Sequence, residues 1–212
     1  MALKSSHPKF SQKISLAVGN LFSKIPLTPN QWTILSILPA FLGFYSLAFW
    51  HNMALALAFF AVCAFLDLVD GAVAKVTKKT SKLGAYFDGM VDRFNEAFII
   101  FGLMLYGLPC PCVFCVPIPS TILLAMLLFL GTSMVSFSRA YADHRKVLTD
   151  QKKLARMGGV LERAERLLLI FAGMLFSFLD LQYLNYVIIL AVILSAFTLA
   201  QRVWFVIKNA EK

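Results

Sequence analysis

The chain has 212 residues, 59% of them hydrophobic and 15% charged, with 20 phenylalanines. Soluble domains average about 45–50% apolar and about 25% charged residues, so disorder, a coiled coil and a disulfide-stapled secreted module are excluded, and a polytopic helical membrane protein remains. The formal net charge of +9 then reads as membrane topology and not as a nucleic-acid footprint.

In chain order, residues 8–25 predict an amphipathic helix. Phe10, Ile14, Val18, Leu21 and Phe22 share one face, and Lys9, Lys13 and Ser23 lie elsewhere, the pattern of a helix lying on a membrane surface. Six spanning helices follow, at about 32–50, 53–76, 85–108, 120–141, 159–179 and 184–206. Three of the apolar runs behind them are shorter than the ~20 residues a span requires, and each is extended into a neighbouring polar stretch. The expected fold is therefore all-α: one membrane domain over residues 1–212, with six transmembrane helices and an N-terminal amphipathic surface helix. All 20 Lys and Arg fall on one side of this arrangement. The loops at 51–52, 106–120 and 180–185 carry none. By the positive-inside rule both termini are cytoplasmic, in a multi-pass protein of the cell membrane.

Cys63 falls inside a helix. Cys110, Cys112 and Cys115 occupy an outer loop that lacks the fourth ligand of a structural metal site, so packing or a disulfide is the reading there. His7, His51 and His144 are isolated and read as polar surface residues.

The chemistry concentrates in residues 67–92. Asp67 and Asp70, spaced i,i+3, project from one face of the second helix, and Asp88 and Asp92, spaced i,i+4, from one face of the third. The short basic connection makes these helices antiparallel neighbours, so four carboxylates converge. Asp67 lies about 21 Å along its helix from Met53, and Asp92 about 24 Å from Leu108, at 1.5 Å rise per residue. Against a hydrocarbon core of about 30 Å, the acids sit near the cytoplasmic boundary. Four anions in such a place repel one another. Two divalent cations neutralise them, and all-oxygen ligation favours Mg²⁺, Mn²⁺ or Ca²⁺, with Mg²⁺ or Mn²⁺ the expected pair. Paired divalent ions are apparatus for in-line phosphoryl displacement. Gly71, Ala74 and Gly84 let a bulky ligand approach the backbone, and Lys75 is placed to meet a diphosphate.

Residues 67–92 read Asp-x2-Asp-Gly-x2-Ala-Lys-x8-Gly-x3-Asp-x3-Asp. This resembles the signature of the CDP-alcohol phosphotransferase (CDP-alcohol phosphatidyltransferase) family, with Lys75 where the family has Arg. The resemblance implies a membrane enzyme that displaces CMP from a CDP-linked lipid donor with the hydroxyl of a small polar alcohol, and a homodimer. It implies metal binding by Asp67, Asp70, Asp88 and Asp92, with Asp92 also the catalytic base. It places Gly71, Ala74, Lys75 and Ser81 at the cytidine diphosphate, and Asn30 and Thr33, in Thr28-Pro29-Asn30-Gln31-Trp32-Thr33, near the nucleotide.

Arg139, Arg163, Arg166 and Arg202 lie at the cytoplasmic ends of the last three helices and suit a phosphorylated acceptor. Individually each also reads as a snorkelling anchor. Glu162-Arg163-x-Glu165-Arg166, Ser136-x2-Arg139 and Gln201-Arg202 resemble the branch of the family that makes phosphatidylinositol phosphate or archaetidylinositol phosphate. This implies acceptor binding by Ser136 and those arginines and inositol 1-phosphate as the acceptor. Tyr141 stands where that branch usually has Arg. Glycerol 3-phosphate, serine and soluble di-inositol phosphate synthesis remain alternatives within the chemistry. An intramembrane prenyltransferase and a divalent-cation transporter are alternatives outside it.

Overall fold

The computed structural model describes residues 8–113 and 116–210. Apart from a two-residue antiparallel pair, Cys112–Val113 with Val116–Pro117, the described residues are helix and loop. The chain divides into two compact units, residues 4–106 and Gly107–Lys212.

The first unit holds α1 (Pro8–Phe22), α2 (Pro29–Leu35), α3 (Ile37–Ala48), α4 (Met53–Val76) and α5 (Lys82–Tyr106). Thr28 starts α2 with a capping box. Its hydroxyl accepts from the Gln31 amide at 3.4 Å, and Gln31 Oε1 accepts from the Thr28 amide at 2.7 Å. Pro29, which has no N–H to lose, takes the first helical turn. The helix breaks at Ser36 because Pro39 cannot donate to the Leu35 carbonyl. Asn52 caps α4 by accepting from Leu55 N at 2.9 Å.

Trp32, Val69 and Val73 form a buried cluster, with Val18, Phe22, Leu27 and Leu66 packed on it. The Phe22 ring meets Trp32 edge-on at 5.6 Å. In lipid, apolar burial alone does not drive helices together, so close packing does much of that work. Gly19 supplies it between α1 and α4, since a Cβ there would lie 2.7 Å from the Ala72 carbonyl oxygen. Gly43 does the same against Phe60 and Gly102 against Leu47.

The second unit holds α6 (Ser120–Met126), a π-helical stretch (Leu127–Met134), α7 (Val135–His144), α8 (Gln151–Arg156), α9 (Arg163–Phe176) and α10 (Leu181–Asn209). α10 packs against α6, the π stretch, α7 and α9. Ser120 and Asn185, both buried, donate to the Pro109 carbonyl oxygen at 2.6 and 2.8 Å.

Among the described residues, four helices are long and apolar enough to cross a membrane: Pro29–Ala48, Met53–Val76, Ser120–His144 and Leu181–Asn209. The two other expected spans exist as helices but differ in kind. α5 has 25 residues, and the stretch up to Glu96 carries Asp88, Asp92, Arg93, Asn95 and Glu96. α9 has 14 residues, starting at Arg163 and not at 159. The backbone amides of Val160 and Leu161 donate instead to Gln201 Oε1 and Thr198 Oγ1 of α10, at 3.2 and 2.9 Å.

α1 covers much of the expected 8–25 helix. The side chains of Phe10 and Ile14 lie outside the described set, as does Cys115. Cys110 is an exposed free thiol.

Candidate active site

α4 and α5 place the acids as helical spacing requires. Asp67, Asp70 and Asp88 each bring one carboxylate oxygen to within 4.8 Å of the others. Asp70 is 6% exposed, and its Oδ2 accepts a 2.6 Å hydrogen bond from the Thr33 hydroxyl of α2. Asp92, one turn beyond Asp88, is not within that group. It is buried, and its Oδ2 lies 3.5 Å from Arg93 Nη1. The sequence thus anticipates a cluster of four carboxylates, and the structure gathers three. The donor set fits a divalent cation, because three hard anionic oxygens this close repel one another until a cation sits among them.

The group opens into a cleft of about 220 Å³. Asn30, Thr33, Gly71, Ala74, Lys75 and Ser81, the six residues expected at the nucleotide, all line it, together with Asp70 and Asp88. Gly71 is open on this side: a Cβ there would meet nothing within 4 Å. Gly84 is the opposite case, since its Cβ would lie 2.9 Å from Asn30 Oδ1. Ser81 caps α5, its hydroxyl accepting from Gly84 N at 2.9 Å. Sequence reasoning missed Lys79 and Thr80, which also line the cleft. Their polarity and place in the α4–α5 connection were the available signal.

The residues expected at the acceptor lie in the second unit. Arg139 is exposed, while Ser136 and Arg163 are half-buried. Arg166 is 1% exposed and packs under Gly131 of the π stretch, where a Cβ would lie 3.0 Å from its Cδ. Arg202 is buried. It donates through Nη1 to the Val135 carbonyl oxygen, and its Nη2 lies 3.8 Å from Glu162 Oε1. Arg202 therefore already grips the start of α7. Thr132 and Ser195 add buried hydroxyls in this unit, and no sequence pattern marks them.

Apolar helices of spanning length, with a three-carboxylate group whose Asp70 and Asp88 line a cleft of about 220 Å³, describe a helical membrane protein with a site that fits a divalent cation. The CDP-alcohol phosphatidyltransferase family profile matches residues 26–204. The chain belongs to this family, and it is a phosphotransferase of the phospholipid-synthesis type.

It is similar to the archaetidylinositol phosphate synthase of Pyrococcus horikoshii, with 35% identity over 209 residues, covering 99% of this chain and 98% of that one. Its fold is like that of Mycobacterium tuberculosis phosphatidylinositol phosphate synthase. With CDP-DAG bound, that structure gives a TM-score of 0.73 at 22% identity, covering 92% of this chain and 94% of that one. In complex with manganese and citrate it gives 0.74 at 21% identity, covering 92% and 90%.

Proposed function

We propose that this chain transfers a phosphatidyl-type group from a CDP-linked lipid to a hydroxyl of inositol 1-phosphate, releasing CMP. The observation that carries the reading is that the carboxylate group opens into a cleft lined by all six residues expected at the nucleotide. Similarity to an archaetidylinositol phosphate synthase over nearly the whole chain supports the acceptor.

In the reaction a hydroxyl oxygen of the acceptor bonds to the β-phosphorus, the bond from that phosphorus to the CMP oxygen breaks, and the hydroxyl proton is taken up by a carboxylate. Asp92 is that base. It is buried one helical turn from Asp88, where a carboxylate within hydrogen-bond reach of the hydroxyl suffices. Asp67, Asp70 and Asp88, joined by Asp92, hold two divalent cations, Mg²⁺ or Mn²⁺. When bound, these ions supply charge neutralisation at the diphosphate and the departing CMP. Thr33 fixes the Asp70 carboxylate, while Gly71 and Ala74 leave the cleft open to the diphosphate. Lys75 offers it a positive charge, and Asn30 and Ser81 border the nucleotide. Ser136, Arg139, Arg163, Arg166 and Arg202 bind the acceptor's phosphate.

The architecture we assign is one six-span domain, with α1 on the cytoplasmic membrane surface, both termini and the cleft cytoplasmic, and a homodimer as the assembly. The one-sided distribution of Lys and Arg supports the sidedness. The unbroken family match through both units supports a single domain.

The test is CMP release by purified protein, with CDP-diacylglycerol and CDP-archaeol as donors and a panel of alcohols as acceptors, and products read by mass. We expect metal-dependent CMP release with inositol 1-phosphate as the best acceptor, abolished in Asp92→Asn. Turnover of prenyl diphosphates, or Mn²⁺ transport without CMP release, would overturn the reading.

A further inference from the structure

The cleft wall carries two lysines, Lys75 and Lys79, where the signature supplies one cation. We propose that Lys79 is a second diphosphate-holding residue, restoring the two-point grip that Lys75 alone does not give. This rests on the CDP-lipid donor proposed above.

Lys75 occupies the signature position of an arginine. A guanidinium offers two parallel N–H donors in a fixed fork, whereas an ammonium is a point charge on a flexible stem. A CDP-linked diphosphate presents two phosphoryl groups, each with a negative charge. One ammonium serves one of them well, and two serve both.

The backbone explains why the second cation is Lys79 and not its neighbour. α4 ends in a Schellman turn: Lys79 N donates to the Ala74 carbonyl at 3.2 Å, and Lys78 N donates to the Lys75 carbonyl at 3.4 Å. Lys78 takes the left-handed conformation, with φ +55°. This reverses the chain, so that Lys79, Thr80 and Ser81 line the cleft while Lys78 does not. The charges of the wall are consistent with this role. Asp70 and Asp88 balance Lys75 and Lys79, and a cation held by the carboxylates leaves a net positive cleft for the diphosphate.

Donor kinetics of CMP release, together with calorimetric titration of CDP, test the proposal. Lys79→Ala should raise the donor KM and the CDP Kd about tenfold, with kcat and acceptor KM held within about twofold, the loss of one charge-assisted contact. Lys78→Asn, which removes the same charge from the same turn and tolerates the left-handed conformation, should leave both constants unchanged. Lys79→Arg should bind like wild type. In a Lys75→Arg background the penalty of Lys79→Ala should fall to about twofold, because the fork again supplies two contacts. Equal effects of Lys79→Ala and Lys78→Asn, or an undiminished penalty beside Lys75→Arg, would overturn the inference while leaving the donor assignment intact. Wild-type protein that neither releases CMP nor binds CDP would overturn the donor assignment itself, and the inference with it.

Discussion

Thr33 has one hydroxyl proton and two acceptors in reach: the Pro29 carbonyl at 3.1 Å and Asp70 Oδ2 at 2.6 Å. The shorter bond, to a carboxylate, is the stronger one. It fixes the orientation of a carboxylate that would otherwise rotate. Thr33→Val keeps the shape and deletes that bond. We expect Mn²⁺ affinity, measured by calorimetry, to fall about 10- to 100-fold, the usual effect of losing a partner behind a metal ligand. Gly84→Ala acts on the nucleotide side. Its new methyl presses on Asn30 Oδ1, so the donor KM should rise while metal affinity holds, in the same kinetic and calorimetric assays. For the acceptor, Arg163→Ala should raise the KM for inositol 1-phosphate more than the KM for the donor. Equal rises would remove Arg163 from the headgroup site.

At the scale of elements, packing glycines set the geometry. Gly131 sits where the π stretch meets α9 and α10, and a Cβ there would lie 2.9 Å from Ser195 Oγ and 3.0 Å from Arg166 Cδ. Gly131→Ala overpacks this contact and should cost about 1–3 kcal/mol, read as a lowered midpoint of thermal unfolding in detergent. The sequence disclosed the elements unevenly. Asn52 and the apolar run after it fix α4 at Met53–Val76, the same bounds in sequence and structure. Asp67, Asp70 and Asp88 were legible because helical spacing and a short connection put them on facing sides of neighbouring helices, whereas Asp92 shares the Asp88 face by spacing yet lies outside the group of three. The π stretch was not legible, because Leu127–Met134 has the composition of any apolar helix and the wide turn depends on tertiary packing. The start of α9 was misplaced for a similar reason. The expected span begins at 159, yet the amides of Val160 and Leu161 are claimed by Gln201 and Thr198, some forty residues away in the chain.

At the scale of the whole molecule, charge and apolarity tell different parts of one account. Among the described residues, four helices declare themselves as spans by length and composition. α5 and α9 are less apolar or shorter because they carry the acids and arginines that the proposed chemistry uses. Sidedness is directly measurable. In a background without other cysteines, Lys78→Cys should react with an impermeant maleimide only in inside-out vesicles, and Cys110, an exposed thiol, only in right-side-out ones. The reverse labelling would invert the topology.

The π-helical turns between Leu127 and Met134 have a consequence for Ser136 and Arg139. A regular helix advances about 100° per residue, and closing rings over five residues instead of four slows that advance. Every side chain after Met134 is thereby rotated away from the bearing that an unbroken Ser120–His144 rod would assign it. Deleting one residue from the stretch would reset the winding and swing Ser136 and Arg139 around the axis together. The compass heading of this pair is thus written in the slack of a turn some residues upstream.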